Sequence, residues 1–399
     1  MDQKVKSIIL LIIFILPAII TSTSVLSTTN DQTSKNNVTT TNIEINGNSE
    51  LENFIATNGF SGSGTITSPY IIKDLIFNVF INETSGFNQS RIPLLQLKNT
   101  NMYVIIKNCS FNQQRAGSGG TFYFSNVSNV QILQNDFTAI NNIGGILILS
   151  SGNITVKDNI FKNGGGIYLQ SLINPKANEI IEICNNYFEN IGRALWIQDQ
   201  NYILIHDNYF KNNSDEAIYN AGPFDGSILT IYHNIFDSNT NGIYNYFLSD
   251  DGETFIFSNH FFNQKRYDLY FLMSNYTAIV YNNNFIYNSS YYIDLAIVSA
   301  FKQYNLTLYN GTEGNYFSGY NGKSINTYFT DQQSYYNFDP HPLEKPVYFN
   351  ITIQGKIYQQ PSFSKPDALS KLLYPIFLLG GFTVLIAILI IIMKKKRLF

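Results

Sequence analysis

Between residues 104 and 317 the hydrophobic positions recur in one pattern: a branched aliphatic residue, two others, Asn, one other, Phe. The series runs Ile132/Asn135/Phe137, Val156/Asn159/Phe161, Ile183/Asn186/Phe188, Ile205/Asn208/Phe210, Ile231/Asn234/Phe236, Ile256/Asn259/Phe261 and Val280/Asn283/Phe285. Ile106/Cys109/Phe111 precedes it with Cys in the Asn place, and Asn315/Phe317 closes it. Successive Asn positions from 135 to 283 lie 24, 27, 22, 26, 25 and 24 residues apart. An internal repeat of this kind decides the architecture before any single element does.

Each period holds a second alternating apolar stretch, such as Gly145-Ile146-Leu147-Ile148, Gly166-Ile167-Tyr168-Leu169, Ala194-Leu195-Trp196-Ile197 and Gly242-Ile243-Tyr244-Asn245. Short strands separated by Asn and Gly turns, with no helical period between them, argue against leucine-rich or helical repeats. About 25 residues makes one turn of a three-sided coil, in which equivalent positions stack about 4.8 Å apart, the spacing of paired strands. The pattern therefore predicts an all-β chain, a right-handed parallel β-helix solenoid of about nine coils. Ile, Val and Phe form inward columns. Asn135, Asn159, Asn186, Asn208, Asn234, Asn259, Asn283 and Asn315 form a structural ladder rather than a ligand-binding strip: each amide bonds the next, and Asn tolerates the left-handed backbone of a tight turn.

The ends read differently. Residues 1–27 combine a basic start (Lys4, Lys6), an apolar run from Ile8 to Ile20 and small residues after it, the order of a secretory signal peptide; an uncleaved anchor is the rival reading. Leu372 to Met393 is 22 residues without a charge, followed by Lys394, Lys395, Lys396 and Arg397. That run is long enough to span the bilayer core, and the basic cluster marks its cytoplasmic side. The expected localisation is therefore a cell membrane, single-pass, with residues 394–399 as a cytoplasmic basic tail and the bulk of the chain extracellular. Residues 28–42 read as a flexible stem, 43–90 as an N-terminal β cap, 91–320 as coils, 321–360 as a C-terminal cap over the other open end and 361–371 as a linker.

Composition narrows the chemistry. Net charge is −3 with 13% charged residues and no basic stripe, so no nucleic-acid partner is expected. Two cysteines, Cys109 and Cys184, exclude a disulfide framework and leave a single bridge open. Four scattered histidines show no metal-ligand spacing, so no metal and no cofactor is expected. Twelve Asn-x-Ser/Thr sequons occur among 51 Asn, a frequency near what that composition produces unaided.

The coils resemble the parallel β-helix repeat proteins of the NosD type, which include a copper-maturation periplasmic protein and many archaeal surface proteins. The resemblance spans roughly residues 59 to 347 and rests on three segments. They are an opening Gly62-Ser63-Gly64-Thr65 with Pro69-Tyr70-Ile71-Ile72, the Asn-x-Phe coils, and a closing Gly314-Asn315-Tyr316-Phe317-Ser318-Gly319-Tyr320 with Asp339-Pro340-His341-Pro342-Leu343. Phe317 stands where the family usually has Trp, and the Asp/Gly-rich stretch that follows in the family is missing between Asn321 and Gln333. The resemblance implies the fold, export and a frequent link to sugars or cell surfaces. It does not carry over copper delivery, since no Met- or His-rich soft-ligand cluster is present.

Taking the residue after the inward aliphatic, successive coils show Leu147, Tyr168, Trp196, Tyr219, Tyr244, Tyr270 and Asp294. Five stacked aromatics would form a flat strip suited to the apolar faces of sugar rings, with Arg193, Asp199, Glu216 and Asp268 nearby. Polysaccharide, surface glycans or neighbouring surface proteins are the partners this suggests. Plain cross-strand packing of tyrosines is the competing reading, and a register slip of one residue would turn the strip inward. The enzymatic alternative, a polysaccharide lyase or glycoside hydrolase, has Glu216, Asp268, Asp294 and Arg193 as its weak candidates, with Ca²⁺ entering only under the lyase form.

Overall fold

The computed structural model describes residues 38–40, 42–79, 93–113, 121–138, 145–171, 179–198, 202–222, 227–246, 252–272, 277–286, 305–308, 310, 312–318, 343 and 345–359. The signal peptide, most of the stem, the linker, the apolar run 372–393 and the basic tail lie outside the described residues. Among the described residues no helix is long and apolar enough to cross a membrane.

Each coil contributes three short strands to three parallel sheets. In one coil Leu195–Gln198 lies on the first face, Tyr202–His206 on the second and Tyr209–Lys211 on the third; Glu216–Asn220 then returns to the first face one layer on. The third face stacks eleven parallel strands, from Val38–Thr40 to Tyr316–Phe317. The first face runs from Ile43–Asn46 to Tyr267–Leu272, and the second from Tyr70–Lys73 to Asn305–Thr307. One strand of 12 residues, Phe122–Leu133, bends round the corner and pairs on both faces.

The repeat sets the register. Ten phenylalanines, Phe77, Phe111, Phe137, Phe161, Phe188, Phe210, Phe236, Phe261, Phe285 and Phe317, stack ring on ring with centroids 4.6 to 5.2 Å apart. The strand pitch imposes that separation, and each ring, buried to 3% exposure or less, contributes about 1.5–3 kcal/mol by leaving water. Beside the rings, Asn135 through Asn315 run as an unbroken ladder. Each side-chain Nδ2 donates to the next Asn Oδ1 at 2.9–3.0 Å.

Three expectations are corrected. First, the left-handed backbone does not sit on the ladder Asn itself but on the residue before it: Asn108, Gln134, Asp158, Asn185, Asp207, His233, Ser258 and Asn282 all have φ between 52° and 56°. The amide at the ladder position instead caps buried backbone groups. Second, the N-terminal segment is not a separate β cap. Its strands Ile43–Asn46, Tyr70–Lys73 and Leu75–Val79 already pair in parallel with the coils. A helix, Asn48–Thr57, is inserted between the first two of them and buries Leu51 and Ile55 in the core. Third, the described part of the C-terminal segment does not close the far end. Residues 343 and 345–359 run back along the outside of the third face as a strap ending in the antiparallel hairpin Asn350–Ile353/Lys356–Gln359. Leu343 N–H donates to Asn315 O, Val347 N–H to Asn284 Oδ1, Asn185 Nδ2 to Thr352 O and Gln354 Nε2 to Asp158 O. The single bridge that the cysteine count left open does not form: Cys109 and Cys184 are both free and buried.

The strap has a physical reason. The residue before each Phe points outward on the third face, and from the fifth strand on it reads Ile160, Tyr187, Tyr209, Ile235, His260, Asn284 and Tyr316. Tyr187, Ile235, Phe262, Ile286, Tyr316, Ile351 and Ile353 form a second buried apolar cluster, separate from the interior one. A mostly apolar outer column needs a cover, and the strap supplies it.

Candidate functional site

On the first face the coil places Leu147, Tyr168, Trp196, Tyr219, Tyr244 and Tyr270 at directly stacked positions. Successive ring centroids from Tyr168 to Tyr270 are 4.9, 5.7, 5.4 and 4.3 Å apart. The inward neighbours, Ile167, Leu169, Leu195, Ile197, Ile218, Ile243 and Leu269, are buried, so alternation turns the aromatics outward. Trp196 is the most open of them, 37% exposed, with its ring edge-on to Tyr168 and to Tyr219. Upstream, Tyr123 occupies the same column in register with Leu147; its inward neighbour is Phe122 rather than an aliphatic residue, so the aliphatic pattern does not pick it out.

One cation organises the middle of the strip. The Arg193 guanidinium lies 4.1 Å from the Tyr219 ring and 4.7 Å from the Trp196 ring. Its Nε donates to Glu216 Oε2 at 2.8 Å and its Nη2 to Asp215 Oδ2 at 3.1 Å. Burial raises the Glu216 carboxyl above the usual range, with the Arg193 contact opposing and Asp215 reinforcing it. At the strip's ends, the Tyr168 hydroxyl donates to Gln198 Oε1 at 3.2 Å, and burial together with the neighbouring Tyr270 raises the Tyr244 phenol.

The acid candidates are not brought together. Asp268 belongs to the corner column that in earlier coils reads Gly145, Gly166, Ala194, Ala217 and Gly242, where space is short: a Cβ on Gly166 would lie 1.8 Å from Ala194 O. The Asp268 side chain is buried, 3% exposed, and burial pushes its carboxyl up to about 8. Glu216 is also buried, at 6% exposure, and is engaged by Arg193. Asp294 and Asp199 lie outside the described residues. Arg193, with Nε on Glu216 and Nη2 on Asp215, braces the strip and is not placed as a base.

The second face holds a constellation that sequence spacing did not reveal. Glu182, Cys184 and His206 present donor atoms within 4.8 Å of one another. Burial pushes the Cys184 thiol up to about 12, with Glu182 reinforcing it. Burial lowers the His206 imidazolium, but hydrogen bonds to Asp207 and Glu182 outweigh it and leave the pKa above the ordinary histidine value. Only knowledge of which residues of adjacent coils align could have shown this group beforehand, since Cys184 and His206 are neighbours across the coil and 22 residues apart in the chain.

No curated protein matches the chain. Among solved structures it is similar to the crystal structure of PfbA, a surface adhesin of Streptococcus pneumoniae, at 12% identity over 75% of this chain and 84% of that one, with a TM-score of 0.33. Residues 94–223 match the family model described as right handed beta helix region, and the chain's fold is accordingly a right-handed parallel β-helix.

Proposed function

We propose that this chain is an exported, membrane-anchored β-helix whose first face binds extended glycan, with the strip Tyr168, Trp196, Tyr219, Tyr244 and Tyr270 as the contact surface. One observation carries the reading: the aromatics occupy a single stacked column, and the most exposed of them, Trp196, is held in place by a guanidinium. A sugar ring lays its C–H face on such a ring plane, while the polar groups beside it, Gln198, Asp215 and Arg193, hydrogen-bond hydroxyls. The export and anchor segments and the NosD-type resemblance give the same surface an outward address. Among the described residues, the sequon asparagines Asn108, Asn126, Asn153, Asn212, Asn310 and Asn350 are exposed, as acceptors on an exported chain would need to be.

The test is binding of the full chain to a polysaccharide array, compared with Trp196→Ala. Burial of one indole or phenol contributes about 1.5–3 kcal/mol, so the variant is expected to lose about 10- to 100-fold in affinity. Unchanged binding removes the strip from the function. Release of new chain ends from uronate or neutral glycans, with or without Ca²⁺, would favour the lyase or hydrolase alternative instead.

A further inference from the structure

On the second face the strand Ile180–Cys184 alternates, with Ile181 and Ile183 buried in the core and Glu182 and Cys184 turned to the other side. The next coil sets His206 directly beside Cys184. Imidazole is long enough to reach across the diagonal, and its Nε2 lies 3.1 Å from Glu182 Oε1. The other ring nitrogen, Nδ1, lies 2.8 Å from Asp207 Oδ2, and Tyr232 lies flat against the ring at 4.7 Å. A carboxylate on one nitrogen and a stacked ring on the face fix the imidazole with its second nitrogen toward Glu182 and Cys184. That is the arrangement which orients metal-ligating histidines.

We propose that Glu182, Cys184 and His206 bind a borderline-soft divalent cation of the zinc type, with water as the fourth ligand and Asp207 as the positioning residue. The donor set is one sulfur, one imidazole nitrogen and one carboxylate oxygen. It suits Zn²⁺ and its congeners, whereas Ca²⁺ and Mg²⁺ require oxygen donors throughout. Four-coordinate bonds of about 2.0–2.3 Å separate donors by about 3.4–3.6 Å. Atoms already within 4.8 Å reach that separation by small side-chain rotations. On binding, the thiol proton leaves to solvent and the sulfur binds as thiolate. The cation nearest in register, Lys157, pairs with Cys184 on the preceding coil and is exposed, so its chain can carry the ammonium away into water. Such an ion would staple two coils beside the point where the strap is tied, at Asn185 and Thr352.

The experiment titrates the reduced full chain with Co²⁺ and then Zn²⁺. One equivalent of Co²⁺ should give a thiolate-to-cobalt charge-transfer band in the near ultraviolet and the visible bands of a tetrahedral ion, both discharged by Zn²⁺. Cys184→Ser should lose the charge-transfer band, Cys109→Ser should keep it, and Asp207→Asn should keep it with about 10- to 100-fold weaker affinity. No charge-transfer band in the unaltered chain, or survival of the band in Cys184→Ser, overturns the proposal. The first of these outcomes needs no variant, so a folding failure in a mutant cannot obscure it.

Discussion

Asn208→Ala should cost far more than its size suggests. Asn208 is fully buried. Its Oδ1 accepts from Asn186 N–H at 2.9 Å and Asn186 Nδ2 at 3.0 Å. Its Nδ2 donates to Ile183 O at 2.8 Å, His206 O at 2.9 Å and Asn234 Oδ1 at 3.0 Å. Truncation does not affect these partners equally. Asn186 Nδ2 keeps Val156 O and Cys184 O, and Asn234 Oδ1 keeps the Asn208 backbone N–H. The Asn186 backbone N–H loses its acceptor inside the core, which costs about 1–3 kcal/mol, and each of the two carbonyl contacts contributes about 0.5–1.5 kcal/mol more. The sum is about 2–6 kcal/mol, reaching the upper end of what point substitutions do.

Urea unfolding of the full chain measures this as a shift in midpoint at constant slope, and amide hydrogen exchange locates it. Because each coil touches only its neighbours, exchange should quicken at Asn186, Asn208 and Asn234 and stay unchanged around Ile72 and Phe77. Gln131→Ala, on the exposed outer side of the second face, serves as the control and should fall within about 0.5 kcal/mol of the unaltered chain. If Asn208→Ala behaves like that control and leaves exchange at Asn186 untouched, the ladder does not hold the coils together.

Three further outcomes follow from the same geometry. Burial raises the Asp268 carboxyl to about 8. Between about pH 4 and that value the unfolded chain is ionised and the folded one protonated, so stability should fall by about 1.4 kcal/mol per pH unit as pH rises; Asp268→Asn should flatten that slope in urea titrations. His260 lies on the opposite side of the ledger: burial lowers it to about 3, so stability present above about pH 6.5 is lost as pH falls toward that value. Since His260 Nε2 meets Val347 O at 2.8 Å, acid should loosen the strap before the coils, read as faster exchange or proteolysis at 345–349 and abolished in His260→Gln. Cys109→Asn should extend the ladder by one rung, because Cys109 N–H already donates to Asn135 Oδ1, and a gain of about 1 kcal/mol in urea is expected; a loss would mean that the pocket around the sulfur is too tight for an amide.

What was legible in the sequence and what was not divide along one physical line. A side chain facing the interior meets its own kind above and below, so identity is constrained coil after coil. Phe137 through Phe285 and Asn135 through Asn283 announce themselves for that reason, and the first-face register that turns Trp196 outward follows from the same columns by alternation. A side chain facing outward answers to whatever covers it, and the cover comes from elsewhere in the chain. The column Ile160, Tyr187, Tyr209 and Ile235 could have been read as an apolar stripe in want of a lid, but nothing in its spacing names residues 343 and 345–359 as that lid. Asp268 is hidden by the same logic: it occupies a corner that glycine and alanine fill in the five coils before it, where the simple in-out alternation of a strand breaks down.

Function in a solenoid therefore has to be sought where equivalent positions cease to be equivalent. Glu182, Cys184 and His206 stand in outer columns whose other members are ordinary: Lys157 before Cys184, and Tyr232, Phe257 and Tyr281 after His206. Nothing in the packing of the coil requires a thiol, an imidazole and a carboxylate there, since Lys, Tyr and Phe serve the column of Cys184 and His206 in other coils and Thr155 and Leu204 flank Glu182 in its own. The same holds for Trp196, which interrupts a column that tyrosine fills in the coils on either side, and for Arg193, whose guanidinium lies against it. A repeat that tolerates many residues at an outer site yet departs from its own habit at two places, once with an indole under a guanidinium and once with three metal-type donors, has spent its exceptions on contacts the fold does not need.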